Sequence, residues 1–255
     1  MKITTVNTNG IRAAAKKGFF DWMKRESPDV VCIQETKAQE HQLAADVFHP
    51  KNYHSYFHDA EKKGYSGTAI YTKCEPKTVK FGIGFDKFDS EGRWLELDLG
   101  DIIVVSLYLP SGSGKQERQD FKYICMARLE QEFERLKATG KDFVICGDWN
   151  IVHKEIDIKN WKANQKNSGC LPEERAWLTK LFDEMDLVDA FRVINQQPHQ
   201  YTWWSNRGQA YANNVGWRID YHITNQNLAK KVQSAEIYKK EKFSDHAPLT
   251  LVYSF

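Results

Sequence analysis

Short runs of β-branched and other apolar residues recur along the whole chain, and they constrain its fold more than any other feature. Most of these runs are four or five residues long and are followed by turn-forming or polar residues, which is the pattern of buried β-strands. The eight runs cover residues 3–6, 30–33, 68–71, 94–97, 102–105, 143–146, 219–223 and 249–252. The sequence therefore predicts a fold built mainly on β-sheets.

Three amphipathic segments between these runs predict helices. They cover residues 19–25, residues 116–138 and a stretch that opens at Pro172. In the longest segment, Phe121, Cys125 and Leu129 recur at a spacing of four, with charged residues on the other face. Many strands joined by hairpins and a few helices predict an α+β fold, a layered αββα sandwich of two packed sheets with helices outside.

Length and composition indicate an ordinary globular protein. The 255 residues contain no low-complexity linker and no fixed-period repeat, so we expect residues 1–255 to form a single domain. A net charge of +2 is too small by itself to indicate a polyanionic partner. The five widely spaced cysteines favour free thiols in a reducing compartment. We expect a cytoplasmic protein, since no signal-peptide pattern and no apolar run of ~18 residues is found.

Carboxylate, amide, phenol and imidazole side chains stand at the ends of the apolar runs. They are Asn7, Asn9, Glu35, Tyr108, Asp148, Asn150, Asp220, Asp245 and His246. A single carboxylate at a strand end is usually a turn or cap residue, but six such strand ends in one chain are harder to explain in that way. Carboxylate and amide oxygens suit Mg²⁺ or Mn²⁺ better than zinc, and Mg²⁺ commonly shares its site with substrate phosphate. The pattern therefore indicates phosphate chemistry.

Other catalytic arrangements find no support in the sequence. No two cysteines have the C-x₂-C spacing of a zinc finger, and the chain contains no G-x-S-x-G elbow, P-loop or dinucleotide fingerprint. Among the eight histidines, His246 differs in following Asp245 directly, and Asp220 could orient its imidazole towards a substrate oxygen. The alternative is a histidine satisfied within the core.

Taken together, these motifs resemble one known family nearly end to end. The matching segments are residues 6–12, 34–37, 91–93, 108–110, 147–150, 172–175, 214–221 and 244–248. The chain resembles the exonuclease III type of apurinic/apyrimidinic endonuclease, within the wider endonuclease, exonuclease and phosphatase superfamily that includes DNase I. The resemblance implies a DNase I-like four-layer sandwich in which two mixed β-sheets meet with the catalytic groups at one rim.

The resemblance also implies a metal site and roles for the catalytic residues. Glu35, with Asn7 and Asp245 nearby, would bind Mg²⁺, for which Mn²⁺ could substitute. If a second metal binds, its ligands would be Asp148, Asn150 and His246. The number of metals stays open at this point.

Four roles in phosphodiester cleavage follow from the same resemblance. Asp148 would orient or deprotonate the attacking water, and Asn150 would hold the charged phosphorane oxygens. His246, oriented by Asp220, would contact the scissile phosphate. Tyr108 would either hydrogen-bond that phosphate or protonate the leaving group.

The partner implied by the resemblance is double-stranded DNA carrying abasic sites or 3′ ends. Its contacts would be Asn9, Arg12, Lys115, Asn164, Trp203 and Trp217. Several basic residues in predicted loops, including Lys166, Arg207 and Arg218, could neutralise phosphates, although charged loops are often simply solvated. Nothing in the sequence predicts base-specific contacts, so we expect recognition of shape and of the missing base.

The function expected on this basis is a DNA repair phosphodiesterase that incises 5′ to abasic sites and removes 3′ blocking groups or nucleotides. The alternatives are a specialised 3′ to 5′ exonuclease or 3′ phosphatase with weak abasic activity, a lipid or inositol phosphatase of the superfamily, and a DNA-binding relative without catalysis. We expect a monomer that needs no organic cofactor and has no membrane partner.

Overall fold

The computed structural model describes residues 1–255 and contains fourteen strands and eight α-helices. The strands are β1 (Lys2–Asn7), β2 (Val30–Gln34), β3 (His54–His58), β4 (Thr68–Thr72), β5 (Thr78–Phe81), β6 (Trp94–Asp98), β7 (Ile102–Tyr108), β8 (Asp142–Asp148), β9 (Leu187–Asp189), β10 (Trp203–Trp204), β11 (Gly216–Trp217), β12 (Asp220–Asn225), β13 (Val232–Ile237) and β14 (Leu249–Tyr253). The helices are α1 (Ile11–Lys16), α2 (Phe19–Glu26), α3 (Asp86–Asp89), α4 (Gln116–Ala138), α5 (Trp161–Asn164), α6 (Pro172–Asp183), α7 (Ala190–Ile194) and α8 (Gln226–Ala229). None of these helices combines the length and the apolar composition that a membrane crossing requires.

Twelve of the strands form two sheets of six strands each. The first sheet has the order β13-β14-β1-β2-β4-β3, and the second has the order β5-β6-β7-β8-β12-β9. In the first sheet β1 and β2 are parallel, and in the second β7 and β8 are parallel, whereas the other pairs are antiparallel. The expected mixed character of both sheets is confirmed.

Three buried apolar clusters separate four layers of backbone, which are two inner sheets and two outer layers of helices. Between the sheets, Ile3 and Cys32 of the first sheet belong to the same buried cluster as Val104 and Cys146 of the second. On the outer face of the second sheet, α4 and α6 supply buried residues such as Leu129. On the outer face of the first sheet, α1 and α2 do the same. The αββα sandwich expected from the sequence is confirmed.

The eight strands predicted from apolar runs are the four inner strands of each sheet. The strands that the runs did not predict in these sheets, β3, β5, β9 and β13, are the four edges. Edge strands face a neighbour on one side only, and three of them are largely exposed or half-buried. Because few of their residues are buried, they carry no continuous apolar run.

The helix predicted over residues 116–138 has those bounds, but the expectation that its lysines, arginines and glutamates lie on the face away from the core is wrong for Lys122. Lys122 and Gln119 of α4 are buried. The helix that opens at Pro172 likewise buries Glu174 of its first turn. Lys122 and Glu174 contact each other and lie beneath Asn150, whose carbonyl accepts from Lys122 Nζ.

Candidate active site at one rim of the sandwich

The strand topology brings the polar strand ends to one rim. In the second sheet Asp148 pairs with Tyr108 of the parallel strand β7 and with Asp220 of the antiparallel strand β12. In the first sheet Asn7 pairs with Gln34, which directly precedes Glu35. A parallel strand ends, and an antiparallel strand begins, at the same edge of a sheet. Residues that are far apart in sequence therefore become neighbours.

Asn7 joins the two sheets at this rim. Its Nδ2 donates to Glu35 Oε1 at 2.8 Å and to Asp148 Oδ2 at 2.9 Å, and Asn7 itself is buried. One amide thus holds a carboxylate from each sheet in fixed positions. An amide suits this position because it donates to both carboxylates and adds no charge of its own.

Asp148 is the most constrained carboxylate of the site. Its Oδ1 accepts from the backbone N–H of Asn150 at 2.9 Å, and its Oδ2 accepts from Asn150 Nδ2 at 3.2 Å. Asn150 also donates from Nδ2 to the Leu109 carbonyl, and its backbone lies at φ 50, a strained region for a residue with a side chain. Burial, with the charges of Asp220 and Glu35, raises the pKa of Asp148 to about 7, although His246 and Asn7 oppose the shift.

His246 forms a buried pair with Asp220. Its Nδ1 lies 2.9 Å from Asp220 Oδ2, and its Nε2 points towards Asp148, 3.8 Å from Oδ2. Burial lowers the pKa of His246, but the charges of Asp220 and Asp148 outweigh it and raise that pKa to about 10. The imidazole is therefore protonated at neutral pH, and its Nε2–H faces the interior of the site. The predicted pairing of His246 with Asp220 is present in this geometry.

Glu35 and Asp245 border the opposite side of the site. Lys37 Nζ lies 2.6 Å from Glu35 Oε2, and this ammonium with the Asn7 hydrogen bond outweighs burial and lowers the pKa of Glu35. Asp245 accepts from Asn9 Nδ2 at 3.0 Å and from Trp203 Nε1 at 3.1 Å. The backbones of Asn9, Glu35 and Lys37 all lie at positive φ, so strained positions concentrate around this rim.

Tyr108 lies beside Glu35 with its ring over a buried arginine. Burial and the Glu35 charge hold the pKa of Tyr108 well above its usual value, so the phenol keeps its proton. The Arg93 guanidinium lies 4.5 Å from the centre of the Tyr108 ring, and its Nη1 donates to the Tyr108 carbonyl at 3.0 Å. Arg93 lies in the matching segment 91–93, but its role is not evident from the sequence, because its contact with Tyr108 is made between neighbouring strands.

A cavity of 240 Å³ opens between these groups. It is lined by Glu35, Tyr108, Ser111, Ser113, Asp148, Asn150, Ser168, Trp203, Trp217, Ile219, Asp245 and His246. A larger groove of 760 Å³ shares four of these residues and adds the cations Lys115, Lys166 and Arg207. Trp203 and Trp217 pair across the small sheet β10-β11, with ring centres 5.8 Å apart and edge to face. The two indoles therefore stand where the cavity meets the groove.

The residues predicted to contact DNA fall into different places. Lys115, Trp203 and Trp217 line the groove. Arg12 is exposed on α1, and the Asn164 side chain bonds to Asn160 and Asn167 within its own loop; neither residue lines the cavity or the groove. The expectation that Arg218 neutralises phosphate is wrong: Arg218 is fully buried, with its guanidinium 2.8 Å from Asp157 and 2.6 Å from Asp189.

The donor set at the rim fits a hard divalent cation. Four carboxylates share the site with two cations, Lys37 and the protonated His246. One oxygen or nitrogen each of Asp148, Asp220 and His246 lies within 4.8 Å of the others, so this group could hold a metal ion. Asp220, however, already accepts from His246 through both oxygens, at 2.9 and 3.2 Å. The carboxylates with an open face on the cavity, Glu35, Asp148 and Asp245, are therefore the better candidates.

The two-sheet sandwich with a carboxylate-rich rim is the architecture of a class of phosphoester hydrolases. Residues 4–246 match the family described as the Endonuclease/Exonuclease/phosphatase family, and the chain belongs to it. The resemblance and the fold class inferred from the sequence are thereby confirmed.

Curated relatives and solved structures agree with this assignment. The chain is 39% identical to an exodeoxyribonuclease of Bacillus subtilis over 254 residues, which cover 99% of each chain. It is 40% identical to the DNA repair nuclease APEX1 of Danio rerio, over 98% of this chain and 81% of that protein. Among solved structures, an AP endonuclease from Archaeoglobus fulgidus superposes with a TM-score of 0.89 at 28% identity, covering 100% of both chains.

Proposed function

We propose that the protein is a magnesium-dependent DNA repair phosphodiesterase that incises the backbone 5′ to abasic sites and removes 3′ blocking groups or nucleotides. The observation that carries this proposal is the position of Asp148. This carboxylate lies at the cavity between a protonated imidazole, a neutral phenol and a cluster of carboxylates, with two indoles at the mouth. Such a set can bind a phosphodiester and activate water beside it.

Asp148 is the proton acceptor in this proposal. Its pKa of about 7 is near neutral pH, which is the range in which a general base works best. Hydrogen bonds from Asn7 and from the backbone of Asn150 fix the direction of its oxygens. It therefore orients the attacking water and takes its proton, while Asn150, whose two amide hydrogens go to Asp148 and to the Leu109 carbonyl in this structure, would turn one of them to the charged phosphorane oxygens.

His246 and Tyr108 supply the other two protein contacts of the phosphate. The Nε2–H of His246 is a charged donor whose direction is set by Asp220 behind it. Tyr108 keeps its phenolic proton, so it can donate either to the phosphate or to the leaving oxygen. Both groups lie on the cavity wall and need no rearrangement to face its interior.

The cation belongs at Glu35, Asp245 and Asn7, with Asp148, Asn150 and His246 as the set for a second ion, whose binding would displace the proton from His246 Nε2. Mg²⁺ is the ion whose ligand preferences these oxygen donors match, and Mn²⁺ shares them. When bound, the ion neutralises negative charge on the phosphate and on the departing 3′ oxygen. The four rim carboxylates outnumber the two cations, Lys37 and the protonated His246. The remaining negative charge favours binding of the metal ion.

The groove beside the cavity suits a DNA backbone. Lys115, Lys166 and Arg207 line it, so phosphates on either side of the scissile bond would meet cations. Trp203 and Trp217 offer apolar surface for a sugar that carries no base. Base edges would meet no dedicated donor set, which agrees with recognition of damage rather than of sequence. The monomeric state and the single domain stay predictions.

The decisive experiment uses two labelled duplexes, one with a tetrahydrofuran abasic analogue and one undamaged with a recessed 3′ end. We expect incision 5′ to the analogue and 3′ trimming in Mg²⁺, neither in EDTA, and neither with Asp148→Asn. Asp142→Asn is the matched control, because Asp142 is a buried carboxylate at the opposite end of β8, where it pairs with Lys231.

Three results would contradict parts of the proposal. Trimming without incision would show the specialised exonuclease instead. Cleavage by Asp148→Asn at the wild-type rate would remove Asp148 as the base. Binding of the abasic duplex without cleavage of either DNA would indicate a catalytically silent relative.

A further inference from the structure

An ion pair without solvent contact lies beneath the proposed active site. Lys122 of α4 and Glu174 of α6 are both fully buried, and Lys122 Nζ lies 2.6 Å from Glu174 Oε1. Lysine and glutamate are among the residues least often fully buried, and an apolar pair of similar size often stabilises a protein as well. A contribution to the stability of the fold therefore does not by itself explain why this pair is present. The other hydrogen bonds of Lys122 and Glu174 explain it.

The two residues hold different parts of the site. Lys122 Nζ also donates to the backbone carbonyl of Asn150 at 2.8 Å. Glu174 Oε2 accepts from the backbone N–H of Gly169 at 2.6 Å and from that of Leu171 at 3.1 Å. One residue thus binds the backbone of Asn150, and the other binds the segment 168–171.

The segment 168–171 forms a wall of the cavity beside Asn150. Ser168 lines both the cavity and the groove. At Gly169 the backbone lies so close to its surroundings that a Cβ atom would be 2.9 Å from the Asn150 carbonyl and 3.1 Å from the Trp217 ring. The carbonyl of Gly169 in turn accepts from Val152 at 2.8 Å. A shift of this wall would change the space beside Trp217.

Asn150 depends on such support because its own backbone is strained. Its φ of 50 is unfavourable for a residue with a side chain, and such a conformation persists only where its surroundings hold it. The Lys122 ammonium holds the carbonyl of Asn150 from below, while Asp148 holds its N–H from the side of the cavity. Removing either contact would loosen the backbone that carries the Asn150 side chain.

We propose that Lys122 and Glu174 are positioning residues with separate tasks: Lys122 fixes Asn150 for the chemical step, and Glu174 fixes the 168–171 wall that admits the abasic sugar. This inference rests on the proposed function and deepens it. Asn150 takes part in cleaving every substrate, so Lys122 supports both activities. The wall contacts only a sugar that enters the cavity, so Glu174 supports abasic incision in particular.

A third contact extends the same cluster to the loop that carries Lys115. Gln119 donates from Nε2 to Glu174 at 3.0 Å, and its buried Oε1 has no hydrogen-bond partner in the protein. Gly112 packs against that oxygen so closely that any side chain at Gly112 would overlap it and Ser168. The loop before α4 and the 168–171 wall therefore rest on one buried support, and both line the groove.

Two double variants separate the two tasks without leaving a single buried charge. Lys122→Met with Glu174→Gln removes the contact to Asn150 but keeps an acceptor for the amides of Gly169 and Leu171. Lys122→Met with Glu174→Leu removes both. kcat and KM are measured for each on the abasic and the recessed 3′-end duplexes, per folded molecule from a denaturant titration.

The first double variant should lower kcat about ten-fold on both substrates with little change in KM, since a small displacement of a catalytic group affects the chemical step. The second should lower kcat/KM on the abasic duplex by about a further ten-fold and leave 3′ trimming at the level of the first. Leu136→Ala is the control, because Leu136 is buried near the far end of the same helix. It should destabilise the protein and leave both activities per folded molecule unchanged.

Gly169→Ala tests the wall while the ion pair stays intact, and it covers the case in which the second double variant does not fold. Its Cβ would push against Asn150 and Trp217, so abasic incision should fall more than 3′ trimming. The inference is overturned if the double variants match the wild type per folded molecule, or if the ratio of the two activities never changes. A wild-type protein that cuts neither duplex would instead overturn the proposed function.

Discussion

Two sets of buried or partly buried carboxylates in this molecule have opposite surroundings. The rim carboxylates are Glu35, Asp148, Asp220 and Asp245. The paired carboxylates are Asp157, Glu174 and Asp189. Each paired carboxylate lies within 2.8 Å of a buried lysine or arginine, which neutralises it. The four rim carboxylates share one lysine and one histidine.

The pKa values of Asp157 and Asp148 show what this difference does. Burial acts on both to raise the pKa. At Asp157 the cations Arg218 and Arg192 outweigh burial and lower the pKa to about 2. At Asp148 burial is reinforced by Asp220 and Glu35, and the pKa rises to about 7. The fold thus favours the ionised form of Asp157, whereas Asp148 carries an unfavourable charge that a bound cation would relieve.

The largest effect that this comparison predicts follows from Asp148→Asn. We expect DNA incision to fall about 10⁴-fold, because the proton acceptor is lost. The free energy of unfolding in EDTA at pH 8 should differ little from that of the wild type, since the amide removes a carboxylate whose ionisation the fold disfavours but places an N–H group against the donors of Asn7 and Asn150. Cleavage assays and denaturant titrations check the two parts. A variant that is both inactive and strongly destabilised would place Asp148 with the paired set.

The second-largest effect should come from Arg218→Met, which removes a cation from the paired set. This change leaves Asp157 and Asp189 buried without their shared cation, so the free energy of unfolding should fall by about 4 kcal/mol, as a denaturant titration measures it. Arg207→Met is the control, because Arg207 is exposed in the groove. It should leave stability unchanged and weaken DNA binding. Equal stability of the two variants would contradict the division.

A strand could be predicted from the sequence only where most of its residues are buried. The inner strands β1, β2, β7 and β8 are buried along nearly their whole length, so each gives a continuous apolar run. The edge strand β13 has only one buried residue among six. Its pairing with β14 is specified by backbone hydrogen bonds, which any sequence can form. Local composition therefore could not reveal it.

The candidate site shows the same limit in another form. Asp148 and His246 were predictable because each stands beside an apolar strand, where a polar residue is conspicuous. Lys122 was not, since a lysine on a helix looks like a solvent-facing residue until the partner helix is known. Arg218 was misread for the same reason: its two carboxylate partners lie 61 and 29 residues away in the chain. The ion-pair partners of a buried charged residue are determined by the fold, and the neighbouring sequence does not reveal them.

A smaller effect should come from Mg²⁺ itself. If the rim set holds the cation, Mg²⁺ at ~100 times its dissociation constant should raise the free energy of unfolding by about 2.7 kcal/mol. Denaturant titrations with and without Mg²⁺ measure the increment. Glu35→Gln should reduce it, and Asp157→Asn should keep it, because Asp157 already has its cations. An increment that is the same in all three proteins would mean that the ion binds elsewhere.

The smallest effect is a pH dependence in acid that Asp157 should show and Asp148 should not. The pKa of Asp157 is about 2 in the folded protein, below its usual 3.8, so its contribution is complete above pH ~4. As the pH falls from ~4 towards 2, the unfolded chain takes up the proton first, and about 2 kcal/mol of stability is lost. Asp157→Asn lacks this group. Its stability deficit against the wild type, measured by urea titration from pH 7 downwards, should therefore stay constant to pH ~4 and then narrow. A deficit that instead widened with acid would mean that Arg218 and Arg192 do not hold the Asp157 carboxylate ionised, and the contrast with Asp148 would fail.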